Sequence, residues 1–262
     1  MHNVVSMERI KITEEKGVEA FINAQDESRR QTCATFIASR AALRVAPHAI
    51  QFYEFHSYAL ARDLTSCMIW RPQLVSSVAA KMPTNKTIDA AFSVATAAAA
   101  GVADAAFAAF ADVRAYTAAK AARAADFAAT VFDEIWAEVA HHATLWLEHA
   151  DQGDGTLAIT IAPLWSGENP HERDWQHLRE NLRAANTPDD RGADWSFWIK
   201  WYDDILAGNP QNWDMLHEIA TTPDIDWDAP SREVNDKING IVEKYALRNS
   251  YYYERIEFSE AK

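Results

Sequence analysis

No phosphate-binding or nucleophile loop is spelled anywhere in this sequence: G-x-x-x-x-G-K-[ST], G-x-G-x-x-G and G-x-S-x-G are all missing. P-loops, dinucleotide-binding turns and nucleophile elbows therefore find no support, and no cofactor is expected. Cysteine is nearly absent as well. Cys33 and Cys67 stand in helical patterns without C-x-x-C or Cys/His spacing, as small buried hydrophobes do in a reducing compartment. Long apolar runs are also missing. The longest uncharged run, 90–103, covers 14 residues of mostly alanine between Asp89 and Asp104, too short for a membrane span. The opening "MHNVVSMERIKITEEKG" has no basic stretch leading into an apolar run, so a soluble, cytoplasmic protein is expected.

Positive charge is scarce in one half only. Residues 1–150 carry 16 acids and 14 bases, whereas 151–262 carry 22 acids and 11 bases, so most of the net charge of −13 lies in the second half. Nucleic-acid affinity rests on neutralising phosphates with Lys and Arg, so direct nucleic-acid binding by that half is not expected. A basic protein partner fits the charge, and so does mimicry of nucleic acid, the weaker alternative.

What the chain does have is hydrophobic bulk, 48% of its residues, ample for a core in a chain of 262. The periodicity predicts a mainly α fold in three parts: an N-terminal segment with a short strand over 1–25, an alanine-rich helical bundle over 26–150, and an acidic, Trp-rich helical module over 151–262. Short strands are predicted at "MERIKI" and "YYYERIEF", which alternate charged and apolar residues, and near 156–165 in "LAITIAPLW". Pro47 and Pro72 predict breaks or kinks between 26 and 80. Over 86–150 one apolar stripe recurs through Ile88, Phe92, Phe110, Val113, Val131 and Ile135. A straight helix of that length would reach roughly 98 Å, so a bend near Gly101 is the economical expectation. Helices are predicted near 170–185, 194–207, 212–220 and 231–246. Trp175, Trp195, Trp213 and Trp227 each follow an Asp or Asn, as a ring packed across a capped helix entrance would.

The densest aromatic stretch is "DWSFWIKWYDD", 194–204. At helical spacing Trp195, Trp198, Ile199, Tyr202, Ile205 and Leu206 form one core stripe, while Phe197 and Trp201 point about 150° away, beside Asp204. Either the helix is buried on two sides, or Phe197, Trp201 and Asp204 form a surface interface for a protein partner or a second copy. Together with "ILAGNPQNWDMLHEIA" and "DWDAPSREVNDKINGIVEKYAL", this stretch resembles a Trp-rich C-terminal segment of uncharacterised bacterial proteins, where it follows an alanine-rich helical part. The resemblance covers about 55 residues, implies the division near 150 and implies no activity.

Chemistry, if there is any, concentrates in "DEIWAEVAHHATLWLEH", 133–149. On a helix Glu134, Glu138, His141, His142, Glu148 and His149 share a polar face opposite Trp136, Val139, Ala143 and Leu147. Glu138-x-x-His141 has the spacing of carboxylate-bridged di-iron sites, but no second copy exists. The set Glu134, Glu138, His141, His142 and His149 is thus the alternative site, for a divalent metal or for His/Glu acid–base chemistry. "HERDWQH" fails the His-Glu-x-x-His spacing, and "DIDWDAPSRE" departs from a calcium loop at Ala229, Arg232 and Asn235. Arg44-Val-Ala-Pro-His48 resembles the Arg-to-His spacing of HEPN-type ribonucleases but departs from it at Val45 and Pro47. No catalytic role is assigned to it. A non-enzymatic helical interaction or regulatory protein is the leading expectation.

Overall fold

The computed structural model describes residues 12–13, 15–55, 66–87, 89–90, 135–150, 160–184 and 193–260. Its main helices are α1 (Glu15–Asn23), α2 (Glu27–Phe55), α3 (Cys67–Lys81), α4 (Ile135–Ala150), α5 (Glu172–Arg183), α6 (Ser196–Ala207), α7 (Trp213–Thr221) and α8 (Ser231–Glu260). The described residues are mainly helical and include no strand. The expected strand at 7–12, the alanine-rich stretch from 91 to 134 and its bend near Gly101 lie outside the described residues, apart from Ile12.

The strand predicted over 251–258 is corrected: those residues continue α8. Extending a nucleated helix fixes one residue per added hydrogen bond, whereas a strand there would need a partner ladder. The strand near 156–165 is corrected over its described part, since Thr160 and Ile161 are helical and 162–168 bends irregularly. The prolines do not end their helices either. Pro47 lies within α2 and Pro72 within α3. Because Pro47 has no N–H, the Leu43 carbonyl four residues earlier loses its helical donor. The Tyr202 hydroxyl of α6 donates to that carbonyl instead, at 3.0 Å.

α3 packs against both α2 and α7, and α2 also packs against α4 and α5. Along the α2–α3 seam the Ser39 hydroxyl meets the hydroxyls of Ser77 at 2.9 Å and Ser76 at 3.2 Å, small side chains that let the helices approach closely. Trp70 of α3 is fully buried at the centre of an aromatic cluster. It stacks on Trp198 at 6.0 Å and meets Trp175, Trp201 and Tyr202 edge-on at 6.2, 6.1 and 5.4 Å. Described residues on both sides of position 150 thus contribute to one hydrophobic core.

Helix starts follow the expected chemistry at several places. Asn212 accepts from the Met215 N–H at 3.1 Å, and Asp194 accepts from the Ser196 N–H at 2.9 Å. α6 stops at Gly208, whose φ of 72° only glycine adopts without strain. A Cβ there would lie 2.5 Å from the Ile161 carbonyl oxygen and 2.7 Å from the Pro163 nitrogen. Gly208→Ala is expected to cost about 2–4 kcal/mol, combining left-handed backbone strain with overpacking. Tyr202→Phe, which orphans the Leu43 carbonyl, is expected to cost about 1–3 kcal/mol. Urea unfolding of each variant, read by tryptophan fluorescence, checks both values.

Candidate functional site

Two arginines one helical turn apart, Arg40 and Arg44, project from α2 into the interior and are 5% and 1% exposed. They reach backbone carbonyls of the irregular segment 162–166. Arg40 donates to the Ala162 oxygen at 2.8 Å and the Pro163 oxygen at 2.6 Å, and Arg44 donates to the Leu164 oxygen at 2.5 Å. The guanidinium of Arg44 also lies over the Trp165 ring, 5.3 Å from its centroid. This accounts for the missing strand: the backbone acceptors of 162–164 go to arginine donors rather than to a neighbouring strand.

α4 closes the cluster from the other side. Glu138 accepts from Arg44 at 3.5 Å, from the Ser166 N–H at 2.9 Å and from the Ser166 hydroxyl at 2.7 Å. The Nδ1 of His142 lies 2.7 Å from Arg44 Nη2 and 2.9 Å from the Glu138 carbonyl oxygen. One nitrogen cannot both accept from the first and donate to the second. Beside a guanidinium donor it is the bare, accepting nitrogen, which places the imidazole proton on Nε2. Burial, then the charges of Arg40 and Arg44, push the His142 pKa well below the usual imidazole range, so the ring is neutral. Burial likewise lowers the Arg44 pKa to about 10, against the opposing pull of Glu138. The Arg44 guanidinium is still protonated at neutral pH.

These positions correct the expected solvent-facing polar side of this helix. Glu138 and His142 are 7% and 1% exposed and share the buried stripe with Ile135, Val139, Ala143 and Trp146. His141 sits edge-on to His142 at 5.5 Å, and the His149 Nδ1 turns back to the Leu145 carbonyl at 3.0 Å. Glu134 lies outside the described residues. The structure therefore brings together Glu138, His141 and His142, with a guanidinium against the carboxylate and the bare imidazole nitrogen. A divalent ion would have to displace that cation, and among the described residues no group of three His, Cys, Asp or Glu side chains has ligand geometry. Arg40, Arg44 and Ser166 were missed by motif reading. Their one signal was two arginines four apart in the otherwise small and apolar "IASRAALRVA".

The aromatic candidates also turn inward. Phe197 and Trp201 are 8% and 3% exposed. Phe197 packs on Trp198 at 5.0 Å and Trp201 packs on Trp198 and Trp70, so α6 is buried on two sides and neither ring forms a surface. Asp204 is separated from them and pairs with Lys200 at 2.7 Å and with Asn209 at 3.0 Å. It borders an open cleft of about 440 Å³ between the last turn of α5 and the first turns of α6. Comparisons of the chain with family models, with curated proteins and with solved structures find no match.

The buried neutral histidine predicts an acid-sensitive fold. Below the unfolded imidazole pKa of about 6.5 the unfolded chain takes up a proton that folded His142 refuses, so stability falls as pH drops from there toward the depressed folded value. The expected slope from this one group approaches 1.4 kcal/mol per pH unit, or about one proton. His142→Asn keeps an acceptor for Arg44 and is expected to remove that component. Urea unfolding of both chains between about pH 7 and pH 5 measures the difference.

Proposed function

We propose that this protein is a non-enzymatic helical interaction protein whose acidic C-terminal half docks a basic protein partner. The observation that carries the reading is the separation of rings from charge in that half. Trp175, Trp195, Trp198, Trp201 and Tyr202 are spent on the core. Carboxylates such as Asp194, Asp214, Asp224, Asp226, Glu233, Asp236 and Glu243 are exposed. What such a surface offers an approaching molecule is its field, which steers association and selects charge.

The residues with the strongest catalytic look support the same reading. Glu138 and His142 are engaged by Arg44 and Ser166 inside the core, where a substrate would first have to break a buried ion pair. A heterologous partner is favoured over pairing of two such halves, because each carries 22 acids against 11 bases and two copies repel.

On α8, Glu233, Asp236 and Glu243 are exposed, and helical spacing places them within about 80° of one another. Replacing all three by lysine is a surface change of small expected effect on folding. Affinity capture with the native chain is expected to retain a basic protein that the Glu233→Lys, Asp236→Lys, Glu243→Lys chain loses. The reconstituted pair is expected to weaken as salt rises from about 0.1 M toward 1 M, where the screening length falls to about 3 Å. A complex indifferent to both charge reversal and salt would overturn the reading.

A further inference from the structure

Among the described residues, the segment 162–166 is tied by hydrogen bonds chiefly to the groups that surround one imidazole. Arg40 donates to the Ala162 and Pro163 carbonyls, Arg44 donates to the Leu164 carbonyl, and Glu138 accepts from the Ser166 N–H and hydroxyl. The Leu164 N–H makes the remaining bond, to the Leu206 carbonyl at 3.3 Å. The segment has neither helix nor strand of its own and no charged side chain. Besides the burial of Leu164 and Trp165, these bonds are what hold it in place.

His142 stands among Arg40, Arg44 and Glu138. Its Nδ1 accepts from Arg44 at 2.7 Å. The charged and titratable groups around the ring are Arg40 and Arg44 from α2 and Glu138 and His141 from α4, while Tyr202 of α6 lies beyond Arg44 and is kept neutral by burial. A proton on Nδ1 turns this acceptor into a donor that faces the Arg44 donor, and it sets a third positive charge beside the two guanidinium groups with only Glu138 to answer them. The Glu138 main-chain carbonyl, 2.9 Å from Nδ1, accepts the new N–H, so the ring exchanges Arg44 for its own helix. Withdrawal of Arg44 breaks its bond to the Leu164 carbonyl and its pairing with the carboxylate that holds Ser166. A protonated ring and a closed segment therefore exclude each other.

We propose that the segment 162–166 is an acid-released latch: protonated His142 displaces Arg44, and the segment comes away from α2 and α4 while the Trp70 cluster holds the rest of the fold. In the opened state the ring titrates near its ordinary pKa of about 6.5, whereas burial and the two arginines hold it well below that while the segment is closed. The opened fraction therefore grows about tenfold for each pH unit below about 6.5. What acid loosens is the polar tie between the chain before position 150 and the chain after it, and the aromatic tie is left intact.

Amide hydrogen exchange of the full chain, resolved by residue and expressed as protection against the intrinsic rate at each pH, reads the latch directly. The Leu164 and Ser166 amides are expected to exchange through a small opening that is insensitive to low urea, and their protection is expected to fall at least tenfold between about pH 7 and pH 5. Core amides of α3 are expected to exchange through global unfolding, with a steep urea dependence. His142→Asn keeps an acceptor for Arg44 and is expected to flatten the pH dependence at Leu164 and Ser166. Ser166→Ala, a change at an exposed residue, removes the hydroxyl bond to Glu138 and is expected to lower Leu164 protection severalfold at pH 7 with the same slope below it. Leu164 and Ser166 amides that share the protection and urea dependence of α3 at every pH would leave global unfolding alone and overturn the latch. A pH dependence that survives His142→Asn removes its trigger, and unchanged Leu164 protection in Ser166→Ala removes its tie to α4; either result overturns it as well.

Discussion

The fold turns on two arginines that have been taken out of water. Moving a guanidinium into the interior costs several kcal/mol, which the Nη2 groups of Arg40 and Arg44 offset in part by donating to main-chain carbonyls of a single segment, while Arg40 Nε and Arg44 Nε and Nη1 stay without a partner. That choice fixes the position of 162–166 against α2, and through Glu138 and Ser166 it fixes α4 against the same segment. The Leu164 N–H in turn donates to the Leu206 carbonyl at the end of α6, and Gly208 leaves room for the segment to pass. One irregular stretch of backbone therefore joins α2, α4 and α6. It can do so because it is not part of a sheet.

The same region sets a cation against the Glu138 and His142 side chains of α4. A guanidinium lies where a ligand cluster would hold its ion, and the imidazole beside it is kept neutral by burial and by neighbouring positive charge. The carboxylate, the imidazole and the Leu164 carbonyl all gather on one nitrogen of Arg44, Nη2. The Trp70 cluster supplies the complementary apolar contact, with one ring from α3 inserted among Trp175, Trp198, Trp201 and Tyr202. Polar and aromatic contacts both tie the chain before position 150 to the chain after it.

Helix content, and the positions of α5, α6, α7 and the first half of α8, were legible because period 3.6 and capping residues such as Asn212 act locally. The strand near 156–165 was misread for a physical reason. β-branched alternation reports what a backbone could do, whereas the acceptors of 162–164 were claimed by arginines more than a hundred residues away. Pro47, expected to break or kink its helix, does not end it, and the Tyr202 hydroxyl that takes up the freed Leu43 carbonyl lies on another helix. Glu138 and His142 were placed on a solvent face because polarity stood in for exposure. Only the apolar setting of Arg40 and Arg44 hinted that charged groups in this chain go inside. For α6, spacing alone correctly left two-sided burial open, and only the neighbouring helices could choose it.

Internal arginine also bears on what the outside of the protein can do. Among the described residues the buried charged side chains are Arg40, Arg44 and Glu138, while carboxylates such as Asp214, Asp226 and Glu243 are exposed. Self-repulsion from such a surface works against compactness, and the deep aromatic core offsets it. Large rings inside and carboxylates outside are then two sides of one arrangement. Bringing Phe197 or Trp201 to the surface would remove packing that resists the repulsion, whereas the exposed carboxylates of α8 can meet a cationic partner without disturbing the core. The docking proposed for the acidic half would use that exposed charge and leave the rings where they are.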